Sequence, residues 1–140
     1  MHLPDRWRRA AFGVAESAAI LAIPEDTLRT WMAREPSGDF AGAKTGGRVF
    51  LSGADLFFYS LIREFTAYGV AVRTAMGEAG KIANDSLYEM PAQKYVAIRR
   101  RVGFSEFELT DAPNLDDRPV AIIPIKQMMH MLIQRVEGAY

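Results

Sequence analysis

The chain has no cysteine in its 140 residues. Disulfides, thiol-ligated zinc and thiol redox chemistry are excluded, a composition that suits a reducing compartment and leads to an expectation of a cytoplasmic protein. Two histidines, His2 and His130, are too few and too far apart for a metal site. No apolar run approaches the roughly 20 residues that a membrane-spanning helix needs. The opening "MHLPDRWRRAAF" is basic, but no apolar core of signal-peptide length follows it. No GxSxG, HExxH, phosphate loop or paired-carboxylate motif is present, so neither an enzyme nor a cofactor is expected. Charge of one sign is also missing as a surplus, with Lys plus Arg and Asp plus Glu at 17 each. Strong nucleic-acid binders usually show a basic excess, so only a local clustering of cations leaves that function open.

What is present is enough apolar sequence for a core. A chain of this length buries roughly 68% of its unfolded surface, which allows one domain or two very small ones. "GVAESAAILAI", Gly13 to Ile23, has Val14, Ala18 and Leu21 at helical spacing. Pro24 opens a second helix, where a missing N–H is harmless. Glu25 and Asp26 fill the first turn of that helix, where the dipole favours negative charge. Leu28, Trp31 and Met32 give it an apolar stripe, and Pro36 and Gly38 end it. Phe40 to Lys44 and Arg48 to Leu51 are expected to pair around a Thr45-Gly46-Gly47 turn. Ser52 with Asp55 approximates a capping box for a long apolar helix from Gly53 to Tyr68. Gly69 ends it, and a further helix follows from about Val72 to about Leu87.

The character changes after Pro91, which suggests residues 1–90 as one unit and 91–140 as another. Tyr95 to Val102 and Phe104 to Thr110 are expected strands. A loop follows with Pro113, Asn114, Asp116 and Asp117, then a third strand in "RPVAIIPI" and a helix in "KQMMHMLIQRVE". The expected fold class is mainly α within α+β, ending in a small β-hairpin or meander and a C-terminal helix.

The order helix, turn, helix, hairpin, helix resembles the N-terminal winged helix-turn-helix of the MerR family of DNA-binding regulators. Ala18, the turn Ala22-Ile23-Pro24 and the pair Leu28-Arg29 match the family's alanine, Gly-Val-Ser turn and Leu-Arg pair. Gly46-Gly47-Arg48, Phe50 and Asp55 match its wing, and "GVAV" from Gly69 matches its Gly-Phe-Ser-Leu junction. The resemblance covers about Phe12 to Ala79. It departs at Ala22, which replaces a glycine and makes a positive φ cost about 1 kcal/mol. Gly47 replaces an aromatic, and one extra residue separates Arg48 from Asp55.

The resemblance implies double-stranded DNA as partner, read by the second helix. Arg29 follows core-directed Leu28, so Arg29 and Thr30 turn outward. An outward arginine can fork onto guanine O6 and N7, or simply pair with Glu25 one helical turn earlier. Thr27 is a further DNA-binding candidate. Arg48 and Lys44 on the hairpin are expected phosphate contacts, fixing register without specificity; the plain alternative is a pair of exposed hairpin cations. Glu25 and Asp26 would repel phosphate at that helix end. The helix therefore reads bases through acids, enters the groove at an unusual angle, or does not bind DNA. "RWRR", Arg6 to Arg9, reads as a minor-groove arm or, with Trp7 in the core, as a solvated fringe.

"RRR" at Arg99 to Arg101 looks like a nucleic-acid patch. A Gly103-Phe104 turn would instead place Arg101 opposite Glu106 and Arg99 opposite Glu108, with Ile98 and Leu109 meeting on the other face. The C-terminal helix carries Met128, Met129, Leu132, Ile133 and Val136, a stripe wider than three short strands can cover. That surplus is expected to form a homodimer interface, as family members pair through helices beyond the winged domain. The expected function is a sequence-specific transcriptional regulator of bacterial or phage type, acting as a dimer on a two-fold operator. The alternatives are an excisionase-like or packaging-associated architectural DNA-binding protein, and a protein-interaction module that has lost DNA binding. No membrane association is expected, and no small-molecule effector site is legible.

Overall fold

A computed structural model describes residues 3–115 and 119–138. His2, Asp116 and Asp117, named above, lie outside the described residues. Among the described residues the chain is α+β, with five α-helices and two three-stranded antiparallel sheets. A 3₁₀ turn, Asp5–Trp7, leads to β1 (Phe12–Gly13), α1 (Val14–Leu21) and α2 (Glu25–Arg34). Then come β2 (Ala43–Thr45), β3 (Arg48–Leu51), α3 (Gly53–Ala67) and α4 (Val72–Asp85). The rest is β4 (Tyr95–Arg101), β5 (Phe104–Thr110), β6 (Val120–Ile123) and α5 (Ile125–Gly138).

Helix α3 organises the molecule. Ser52 accepts from the Asp55 amide while the Asp55 carboxylate accepts from the Ser52 amide, closing a capping box that starts the helix. Every residue from Gly53 to Ile62 is buried. A helix apolar on most of its circumference has to be wrapped, and α1, α4, α5 and the 3₁₀ turn do so. Trp7 packs against Gly53, where an added Cβ would meet the indole at 2.7 Å. The Trp7 Nε1–H donates to the Ser86 carbonyl at 2.9 Å, which ties the N-terminal segment to the end of α4. Buried side chains on both sides of Pro91 form one continuous cluster. No helix among the described residues is long and apolar enough to cross a membrane.

The first sheet has the order β1-β3-β2. The β2–β3 turn is tighter than expected: Thr45 pairs with Arg48, and Gly46 and Gly47 alone turn the chain at φ +60° and +79°. Two consecutive positive φ values are the requirement of a type I′ hairpin, and glycine meets it without strain. Phe40 is not in the strand. It is buried, stacked on Phe58 with centroids 4.2 Å apart, and its carbonyl accepts from the Tyr59 hydroxyl. Strand β1 has only two residues, and its partner Leu51 is remote in sequence, so no local pattern announces it.

The second sheet has the order β5-β4-β6, which corrects the expected meander: β6 pairs with β4, not with β5. The reason lies in β4, whose Val96, Ala97, Ile98 and Arg99 are all buried and whose two edges both need partners. The β4–β5 register also differs from expectation. Arg101 pairs with Phe104 and Ile98 with Phe107, so Val102-Gly103 form the turn, with φ +83° at Gly103. A shift of two residues preserves the faces, so the arginines still meet the same glutamates, now diagonally. Arg101 lies 3.0 Å from Glu106 and Arg99 3.5 Å from Glu108. Arg99 also donates to the Asn114 carbonyl, which brings the β5–β6 connection across its face. Phe107, not Leu109, is the inward partner of Ile98, and it meets Phe65 edge-on at 5.3 Å.

The expected surplus on the last helix does not exist. Met129, Leu132, Ile133 and Val136 of α5 are buried within this chain, and Met128 is half-buried. The covering surface comes from α3 and the 3₁₀ turn as well as from β4, elements outside the small sheet that the expectation considered. Four of the five residues expected at a dimer interface are thus already packed inside this chain, and Met128 alone of them keeps part of its surface open.

Candidate nucleic-acid interface

Three residues connect α1 to α2, and the first of them adopts an unusual backbone. Ala22 lies at φ +55°, ψ +44°. Its amide donates to Ala19 O and the Ile23 amide to Ala18 O, the double bond of a Schellman ending. The same motif closes α3, where Gly69 occupies the equivalent position at φ +89°. Arg63 of α3 donates to the Leu21 carbonyl, fixing the α1 end to the core. The α1–α2 pair is thus held by backbone capping and by one arginine from below.

Burial of Leu28 and Trp31 decides which face of α2 is open. Arg29, Thr30, Ala33 and Arg34 are exposed, and Thr27 is half-buried. Arg29 Nε lies 2.8 Å from a Glu25 carboxylate oxygen, with the side chains 57% and 42% exposed. An exposed i,i+4 pair is worth only about 0.3–0.5 kcal/mol, whereas a bidentate contact to guanine is worth about 1–3 kcal/mol. The pair orients Arg29 without blocking it. Thr30 Oγ1 donates to the Asp26 carbonyl one turn back, leaving its oxygen lone pairs and methyl outward.

The hairpin stands beside this face. A cleft of about 540 Å³ separates the start of α1 from the hairpin, and its lining includes Glu16, Arg29, Arg48, Val49 and Phe50. The Arg48 guanidinium lies over the Phe50 ring at 5.7 Å, which aims it along the hairpin rather than into bulk water. Arg29 and Arg48 are thus brought to one cleft. Lys44 is not: it pairs with Val49 while Arg48 pairs with Thr45, so the two hairpin cations project from opposite faces. Glu16, in the same cleft, is a residue that the sequence reading did not single out; its exposed place on α1 gave no signal.

Both basic runs lie elsewhere, and most of their arginines are engaged within the chain. Arg8 donates to the Leu87 carbonyl and lies 4.6 Å over the Tyr88 ring, while Trp7 is fully buried. Arg100 donates to the Gly69 carbonyl at 2.7 Å. A second cleft, of about 570 Å³, runs between this N-terminal segment, the α3 start and the α4 end. Asp55 lines it, and burial, reinforced by the charge of Glu35, outweighs the Ser52 hydrogen bonds and pushes its carboxyl up to about 6. Burial likewise raises the Tyr59 hydroxyl well above its ordinary value, with Asp55 and Glu35 adding to the shift.

No family model matches the chain, and no curated protein matches it significantly.

Proposed function

We propose that this chain is a sequence-specific DNA-binding transcriptional regulator, with a MerR-like winged helix-turn-helix between about Phe12 and Ala79, acting in the cytoplasm. The observation that carries the reading is the cleft between the start of α1 and the projecting hairpin, where Arg29 of α2 and Arg48 of the hairpin meet. A helix in the major groove reads bases while an adjacent wing holds backbone phosphates. Arg29, with Thr27 and Thr30, is the base-reading set in this account; Arg48 and Lys44 grip phosphate from the two faces of the wing. The strand order β1-β3-β2 supports it, because β1 anchors the wing to the residue before α1 and fixes it relative to α2.

The regulator pairs on a two-fold operator. With α5 buried in its own chain, the apolar side chains left near it are few: exposed Met131 and half-buried Met128 and Ile20. A stable interface buries about 800 Å² per partner, so two copies pair on adjacent half-sites of DNA rather than in free solution.

A second reading, a protein-interaction module on the same scaffold, is favoured by one feature. Glu25 and Asp26 are exposed at the N-terminus of α2, where a phosphate would otherwise sit. Electrophoretic shift on random-sequence duplex separates the two. The regulator shifts DNA at low salt, Arg48→Ala weakens all sequences alike, and Arg29→Ala loses about 1–3 kcal/mol and relaxes preference at one base pair. Absence of any shift for the wild type at about 50 mM salt selects the interaction module.

A further inference from the structure

We propose that the groove between the end of α2 and the start of α4 docks an acidic, apolar-anchored peptide segment of a partner protein. This inference does not rest on DNA binding. The groove holds about 440 Å³ and is lined by Arg34, Pro36, Val72, Arg73 and Met76. Its floor is hydrocarbon: Met76 is buried, Val72 is half-buried and Pro36 presents a rigid ring. Its rim is cationic, since Arg34 and Arg73 are both exposed.

Like Arg9 and Arg48, and unlike the arginines of α3 and β4, the two have no carboxylate or carbonyl of the described residues to hold. Among the described residues, neither makes an ion pair or a side-chain hydrogen bond, and no carboxylate lines the groove. An apolar floor between two uncompensated guanidiniums complements a segment that inserts an aliphatic or aromatic side chain and sets carboxylates on either side. A nucleic-acid backbone fits less well: phosphates would satisfy the arginines, but they would lie over Val72 and Met76 and be stripped of water with no donor below. Four of the five lining residues lie on α2 and α4, with Pro36 just beyond α2, so the cost of ordering falls mainly on the occupant.

The test is a displayed library of random dodecamer peptides selected against the full chain, with the recovered peptides synthesised and mapped by amide chemical-shift perturbation. Recovered peptides should carry an aliphatic or aromatic residue flanked by Asp or Glu. They should perturb residues 72–76 and the end of α2, and bind more weakly as salt rises from about 50 to about 500 mM. Arg34→Glu/Arg73→Glu should weaken them at least about 10-fold, and the milder Arg34→Gln/Arg73→Gln should weaken them less. Lys94→Glu, on the loop before β4, should leave them unchanged. Four results overturn the proposal: no recovered binder, binders without acidic residues, binders insensitive to both arginine variants, or perturbations elsewhere. It is equally overturned if a short duplex perturbs the same amides more tightly than any peptide, or if those amides shift with protein concentration alone. The groove then belongs to DNA or to a second copy.

Discussion

The densest arginine run in the molecule and its sparser cations are put to opposite uses. Arg99, Arg100 and Arg101 stand consecutively on β4, yet each is engaged within the chain, by Glu108 and Asn114, by Gly69, and by Glu106. Arg99 is 5% exposed. Arg29, Lys44 and Arg48 are scattered over three elements and stand open to solvent, tethered by one surface ion pair and one ring contact. Local density of charge therefore says little about binding. What matters is whether the fold supplies an internal acceptor. On a central strand, alternate side chains face a neighbouring strand whose glutamates are within reach; on a hairpin tip or an open helix face, little of the chain is near enough to compete with solvent or a ligand.

The sharpest way to break this comparison is to reverse the buried member. Arg99→Glu places a carboxylate in a buried site beside Glu108 and the Asn114 carbonyl, and should cost about 3–5 kcal/mol in urea unfolding. Arg101→Glu, at a more open position, should cost about 1 kcal/mol or less. Adding Glu106→Lys and Glu108→Lys to the double arginine reversal should recover part of the loss. Equal costs at the two positions would show that burial does not separate them.

Asp55 sharpens the comparison from the acidic side, since it is a buried carboxylate with only its own capping box for company. Burial pushes its carboxyl from an ordinary 3.8 up to about 6. The folded state therefore holds this proton more tightly than the unfolded state does. The associated stability is complete below about pH 4 and is lost as pH rises through about 6, amounting to about 2–3 kcal/mol. Asp55→Asn keeps an oxygen for the Ser52 amide but cannot titrate. The stability of the wild type relative to the variant should fall between about pH 4 and pH 6 and then level off. A flat difference across that range would contradict the assignment.

Ala22 gives the smallest of these effects. It adopts the left-handed conformation that Gly69 adopts in the same helix ending, but with a Cβ. Ala22→Gly relieves that strain at the expense of a freer unfolded chain, and should stabilise the protein by at most about 1 kcal/mol. Thermal unfolding reads it directly, and a destabilised variant would show the strain to be absent.

Legibility in the sequence followed the range of the interactions. The α3 start was readable because Ser52 and Asp55 are near neighbours, and the faces of β4 and β5 because parity survives a two-residue slip. The slip itself was not readable: Val102-Gly103 and Gly103-Phe104 are both acceptable turns, and Phe107 prefers Phe65, a contact made in another part of the chain. Strand β1, the position of Phe40 and the burial of α5 were missed for the same reason. Each depends on partners remote in sequence: the strands alone leave part of the α5 stripe uncovered, and α3 and the 3₁₀ turn cover it. In the candidate interface, the outward turn of Arg29 and the exposure of Arg48 follow from local spacing. The separation of Lys44 from Arg48 depends on which residues form the turn.

Whether the open cations bind DNA while the arginine run does not is tested most directly by salt dependence. Fluorescence anisotropy of a labelled duplex between about 50 and about 200 mM salt gives the slope of log K against log salt for wild type, Lys44→Ala/Arg48→Ala and Arg100→Ala. The account predicts measurable wild-type binding, a slope reduced by about two in the hairpin double variant, and a slope unchanged in Arg100→Ala. No binding by the wild type, or an equal loss of slope in Arg100→Ala, would contradict it.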